Sequence, residues 1–138
     1  MATTAFDLVT PAATLFSGQA EMIVCKTVEG EIAFLADHEA YIGALDPCLV
    51  RVVGPEGTEG SEFRVAVHGG FVEVKDNQVI MLADIAQRPE DIDVAQAQAD
   101  ESDATSRTST GGGSETEAKA AEVDLKWAQA RLEAARAG

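Results

Sequence analysis

Residues 63–84, FRVAVHGGFVEVKDNQVIMLAD, leave this chain few folds to choose from. Phe63, Val65 and Val67 alternate with Arg64, Ala66 and His68, the two-residue period of a half-buried strand. Gly69-Gly70 follows, where a positive φ is easily adopted. Phe71, Val72 and Val74 then lead to Lys75, and Asp76-Asn77 tolerates the left-handed conformation that a two-residue hairpin turn needs. Val79-Ile80-Met81-Leu82-Ala83 is a continuous apolar run, expected as a strand covered on both faces. A short meander is marginal alone in water, so other strands must pack on it.

The preceding residues supply those strands. Residues 5–10 form a first strand closed by Pro11, and residues 14–16 a short one ending at Ser17-Gly18. Residues 20–27 place Met22 and Val24 against Ile23 and Cys25, so both faces are apolar. Glu29-Gly30 turns the chain into residues 31–35. Residues 41–45 and 49–53 flank the turn pair Asp46-Pro47, and residues 54–61 form a loop. About ten short strands with frequent turns predict a β-sandwich over residues 1–87.

The character changes over residues 88–138. Pro89, Glu90 and Asp91 have the composition of a helix start. Residues 92–99 read as short and weakly amphipathic. Residues 100–116, rich in Ser, Thr and Gly, read as a flexible linker unable to bury enough surface to order itself. Residues 117–136 predict a good helix with a thin stripe of Val123, Trp127, Ala130 and Ala134, extended by Leu125, Ala128 and Leu132. Such a stripe suits packing against another helix or a sheet. The expected fold is therefore a β-sandwich followed by a C-terminal α-helical hairpin.

Charge narrows the partners. A formal net charge of −14 repels phosphate backbones and anionic lipid, which argues against nucleic-acid binding and direct membrane insertion. No apolar run approaches the roughly 20 residues of a membrane span, and the N-terminus lacks the basic and apolar regions of a signal peptide. Cys25 and Cys48 form no CxxC pair and read as buried thiols of a cytosolic protein, with a disulfide between them left open by the sequence.

Enzymatic signals are absent. His38 and His68 lie in different elements, and no HExxH, GxSxG or phosphate-binding loop accompanies them. Lys75 at a hairpin tip lacks the flanking residues of a lipoyl or biotinyl lysine. A non-catalytic protein-interaction role remains, either as part of an assembly or as a free-standing β-sandwich interaction module.

An ordered set of residues favours the assembly. Phe6-Asp7-Leu8-Val9-Thr10-Pro11, Leu15-Phe16-Ser17-Gly18, Glu29-Gly30-Glu31-Ile32, His38, Gly69-Gly70-Phe71-Val72-Glu73-Val74, Val79 and Leu82-Ala83-Asp84 occur in that order. The set resembles the epsilon subunit family of the bacterial F-type ATP synthases. The resemblance implies a ten-stranded sandwich, a helical hairpin, and a non-catalytic rotor subunit of the central stalk in a proton-translocating enzyme. It implies the gamma subunit and the c-ring as partners, and the alpha/beta catalytic head as a further one. It places the chain at the cytoplasmic face of the bacterial plasma membrane, held there peripherally by protein contacts. It also implies that the helices can regulate ATP hydrolysis.

By the same resemblance, Glu31 and His38, with neighbouring Asp37 and Glu39, are expected to meet the c-ring loops. The family's loop pattern Pro-Gly-His-x-Pro-Leu here reads Ala36-Asp37-His38-Glu39-Ala40-Tyr41, and the added acids predict a more basic partner loop. The family's Lys-Pro-Gly reads Asp46-Pro47-Cys48, and Cys48 takes up a positive φ less readily than Gly, so an altered turn is expected. The family's ATP-sensing motif, Ile/Leu-Asp-x-x-Arg-Ala, corresponds to Ile92, Asp93, Gln96 and Ala97. Gln96 lacks the charge a triphosphate needs, and Asp91, Asp100 and Glu101 worsen the field, so the residues argue against ATP as a cofactor. Lys119, Lys126, Arg131 and Arg136 are offset by Glu117, Glu122, Asp124 and Glu133, which favours a helix packed on the sandwich, or partly loose, over an inhibitory arm.

Overall fold

The computed structural model describes residues 2–54, 62–110 and 114–137. Ten strands come first: β1 (Thr4–Val9), β2 (Thr14–Ala20), β3 (Met22–Thr27), β4 (Gly30–Leu35), β5 (Tyr41–Leu45), β6 (Cys48–Val53), β7 (Glu62–Val67), β8 (Gly70–Lys75), β9 (Gln78–Ala83) and β10 (Ala86–Gln87). A 3-10 turn at Pro89–Asp91 leads to helices α1 (Val94–Thr110) and α2 (Glu115–Ala137).

The strands follow one hydrogen-bonded path, β10-β7-β6-β3-β5-β8-β9-β1-β2, with β4 on the free side of β3. A single bridge, Thr27 to Leu45, joins β3 to β5. The path folds over there into two layers, β10-β7-β6-β3-β4 and β5-β8-β9-β1-β2. Alternation drives the folding: Phe6, Leu8, Ile23, Phe34, Val50, Val52, Val65, Val67, Val72, Val79 and Met81 all point between the layers and are completely buried. The turns behave as their composition dictates. Asp76 and Asn77 take φ of 52° and 58°, and Gly30 and Gly70 take 124° and 133°.

Several expectations need correction. Ser17-Gly18 does not end a strand; β2 continues to Ala20, with Gly18 opposite Phe6 and the Ser17 hydroxyl donating to Asp7 at 2.6 Å. The β9 run is covered on one face only: Val79, Met81 and Ala83 are buried, whereas Leu82 is 54% exposed. The helix expected from Pro89 starts at Val94, because Asp93 caps it by accepting the Gln96 N–H at 3.1 Å. The linker expected over residues 100–116 is helical through Thr110, and α2 begins at Glu115. Side-chain pairs offset its weak propensity: Gln96 donates to Asp100, Arg107 to Asp103, and Arg107 also reaches Asp124 on α2 at 2.9 Å. Its three glycines, 111–113, lie outside the described residues, as do residues 55–61 of the expected loop.

The helices form a hairpin laid on the outer face of β6 and β7. Ala97 and Ala104 on α1, and Ala121 and Ala128 on α2, recur every seven residues and are buried. Small side chains at that spacing let two helices approach closely. On the sandwich side of α2, Ala130 and Ala134 pack with Ala66 and Ile92, bordered by Leu49 and Trp127. The thin α2 stripe thus faces both a helix and a sheet.

Candidate functional site

The residues singled out for ring contact divide between two ends of the sandwich. Glu31 is the second residue of β4, opposite Lys26, beside the hairpin tip that carries Val28. It also borders a cavity of about 360 Å³ under α2, with Asp46, Cys48, Lys126 and Glu133. Asp37, His38 and Glu39 follow the far end of β4. Four strand steps, about 13 Å, separate Glu31 from Leu35 alone. Glu31 and the Asp37–Glu39 turn therefore lie at opposite ends of β4. Strand rise, applied to their spacing, is the signal that separates them.

The Asp37–Glu39 turn is well defined although its family glycine and prolines are missing. Asp37 takes φ of 62°, and its N–H donates to the side-chain oxygen of Asn77 at 2.8 Å. Asp is among the few residues that tolerate this conformation. His38 Nδ1 donates to the Glu39 carbonyl at 2.7 Å, and its ring meets buried Phe34 edge-on at 5.0 Å. Asp37 and Glu39 are exposed. Cys48 has no positive φ; it opens β6 as a buried residue.

The four residues aligned with the ATP-sensing motif each have work inside the fold. Ile92 packs with Ala66, Ala130 and Ala134; Asp93 caps α1; Ala97 is fully buried. The Gln96 amide donates to Asp100 Oδ1 at 2.8 Å, while Arg131 donates to Asp100 Oδ2 at 2.9 Å. These two donors, Arg131 first, hold the Asp100 carboxyl below its usual range.

One uncovered apolar feature is not evident from the sequence. On the outer face of the second layer, Ala44 faces Phe71, Phe71 faces Leu82, and Leu82 faces Val9. These four residues make one apolar row across four strands, about 14 Å long. Phe71 is 59% exposed, and Ile42 beside the row is 69% exposed. Glu73 and Asp7 lie in the next row, opposite Ile42 and Ser17, and give the patch a polar border. The helices pack on the other layer. The signal was present in the second apolar face of β9, which reads as a need for cover that the described residues do not supply. Among the described residues no cluster of three or more His, Cys, Asp or Glu could hold a metal, and no helix is long and apolar enough to cross a membrane.

A two-layer sandwich with a helical hairpin on one face and an apolar row on the other is a docking scaffold. Family models for the ATP synthase delta/epsilon chain match it throughout: the beta-sandwich domain over residues 3–89 and the long alpha-helix domain over residues 90–136. The chain belongs to the ATP synthase epsilon chain family. It is 42% identical over 93 residues to the ATP synthase epsilon chain of Shouchella clausii, covering 67% of each chain. The epsilon chain of Halalkalibacterium halodurans is 37% identical over 136 residues, 98% of each chain. Among solved structures, a chain of the Euglena gracilis mitochondrial ATP synthase OSCP/F1/c-ring assembly matches with a TM-score of 0.78 at 25% identity, over 99% of this chain and 82% of that one. A chain of the Tetrahymena thermophila mitochondrial ATP synthase central stalk and c-ring shares the fold, with a TM-score of 0.61 at 17% identity and 95% coverage of each chain.

Proposed function

We propose that this chain is the central-stalk rotor subunit of a proton-translocating ATP synthase, and that it grips the gamma subunit through the β5-β8-β9-β1 face. The observation that carries the reading is the Ala44–Phe71–Leu82–Val9 row, an apolar strip that none of the described residues covers. Exposed apolar rows with polar borders mark protein interfaces. A stable pair needs on the order of 800 Å² buried on each partner, which the row and its neighbours Ile42 and Ile80 can seed.

Of the two ends, the one bearing Glu31 is proposed to rest on the c-ring. Exposed Val28 and Ile85 lie at that end and give a carboxylate an apolar setting. Asp37, His38 and Glu39 then face away from the ring, toward gamma or the catalytic head. The chain carries no catalytic role of its own in this reading. It is held peripherally at the cytoplasmic face of the membrane by its partners. In this reading the hairpin closes without ATP, with Asp100 accepting one hydrogen bond from Gln96 and one from Arg131.

Co-expression with the gamma subunit of the same enzyme tests the assignment. The chain should co-purify with gamma through size exclusion. A chain that elutes alone, as a stable monomer, would support the free-standing interaction module instead.

A further inference from the structure

The cavity between α2 and strands β3, β4 and β6 holds about 360 Å³. That is inside the range of small-ligand sites, roughly 300–1,000 Å³. Six charged side chains line it: Lys26, Arg51 and Lys126 against Glu31, Asp46 and Glu133. Three of them are engaged. Lys126 donates to Asp46 at 3.0 Å and so ties α2 to the β5–β6 turn. Arg51 donates to Glu62 at 2.8 Å, outside the lining.

The other three are not engaged. Among the described residues, Lys26, Glu31 and Glu133 enter no side-chain hydrogen bond or ion pair. Lys26 and Glu31 are direct cross-strand partners on β3 and β4, with Cβ atoms about 5 Å apart. Opposite charges so placed commonly pair; these two stand side by side at the cavity mouth without a bond between them. Glu133 comes from the other wall, seven residues after Lys126 on α2 and so about two helical turns along the same face. Val24, Leu49 and Ala130 give the cavity an apolar lining.

We propose that this cavity binds a free basic amino acid, its carboxylate on Lys26, its α-ammonium on Glu31 and its side-chain cation on Glu133. Charge decides the class. Two unpaired carboxylates and one unpaired ammonium match a ligand with two cationic groups and one anionic group. Lysine, ornithine and arginine carry that set. Lys26 and Glu31 are neighbours, which suits charged groups borne on one α-carbon. Glu133 is on the facing wall, which suits a cation at the end of an aliphatic stem, with Val24, Leu49 and Ala130 to cover the stem. A diamine gives Lys26 no partner and brings like charge beside it. A neutral amino acid leaves Glu133 unpaired.

Equilibrium dialysis of the full-length chain with radiolabelled L-lysine, at neutral pH and low salt, tests this. Binding should saturate at one lysine per chain. Norleucine lacks the side-chain ammonium and cadaverine lacks the carboxylate; each should compete about tenfold more weakly, the worth of one charge-assisted hydrogen bond in a half-open site. Glu133→Gln should abolish the preference for lysine over norleucine, and Lys26→Met the preference over cadaverine. Both replaced side chains are exposed, so the circular dichroism spectrum should not change. Lysine uptake that never saturates, norleucine or cadaverine competing as well as lysine, or preferences that neither variant alters would overturn the proposal. The measurement uses the chain alone and is indifferent to whether gamma or the c-ring binds.

Discussion

Gly70 and Leu82 meet backbone to backbone where β8 leaves its turn. Gly70 has φ of 133°, and a Cβ added there would strike the Leu82 carbonyl and come within 2.9 Å of the Ala83 Cα. Neither is a flexible side-chain end, so relief requires moving the strand. Gly70→Ala should lower stability by about 2 kcal/mol or more, since strained φ and a backbone clash add. Chemical denaturation checks this. As β8 and β9 carry Phe71 and Leu82, the same variant should also bind gamma more weakly.

Acid should open the hairpin. Asp100 is held below the ordinary aspartate range by Arg131 and then by Gln96. A depressed folded value means the stabilisation is complete above the unfolded pKa of about 3.9 and fades as pH falls through the folded value. Trp127 quenching should therefore stay flat through neutral pH and rise below about pH 4. Asp100→Asn should remove that step. Added salt should weaken the Asp100–Arg131 pair at neutral pH, because Asp100 itself is 39% exposed.

The two cysteines should behave as core residues. Burial raises the Cys25 thiol to about 12, with Cys48 and Glu31 adding to the effect. Burial raises Cys48 to about 11 against the opposing hydrogen bond from the Lys26 N–H. Both are free and buried. Neither should react with a disulfide reagent at pH 8 until the chain unfolds. A raised thiol pKa contributes stability below the unfolded value of about 8.5 that is lost as pH rises, so denaturant midpoints should fall from pH 8 to pH 10.

The strands were legible because their determinants are local. Alternation in Phe63–Val67 and turn chemistry at Asp76-Asn77 act within a few residues of one another. The helical state of residues 100–110 was not, because its support comes from afar: Asp100 meets Arg131 31 positions later, and Arg107 meets Asp124 17 positions later. Composition alone made that stretch a linker. Asp37 shows a similar gap. Its left-handed turn is held by Asn77, 40 residues away, where the family pattern has a glycine. The candidate interface was half legible: the apolar run of β9 was visible, but only the layer order showed that one of its faces is left open.

The central claim is that the apolar row on β5, β8, β9 and β1 binds gamma. The direct measurement is a titration of purified gamma with the parent chain, with Phe71→Glu and with Lys119→Ala on the exposed side of α2. Phe71→Glu should weaken binding about a hundredfold, as for a central interface residue, with an unchanged circular dichroism spectrum. Lys119→Ala should bind like the parent. If Phe71→Glu binds gamma as tightly as the parent chain, the row is not the interface and the account fails.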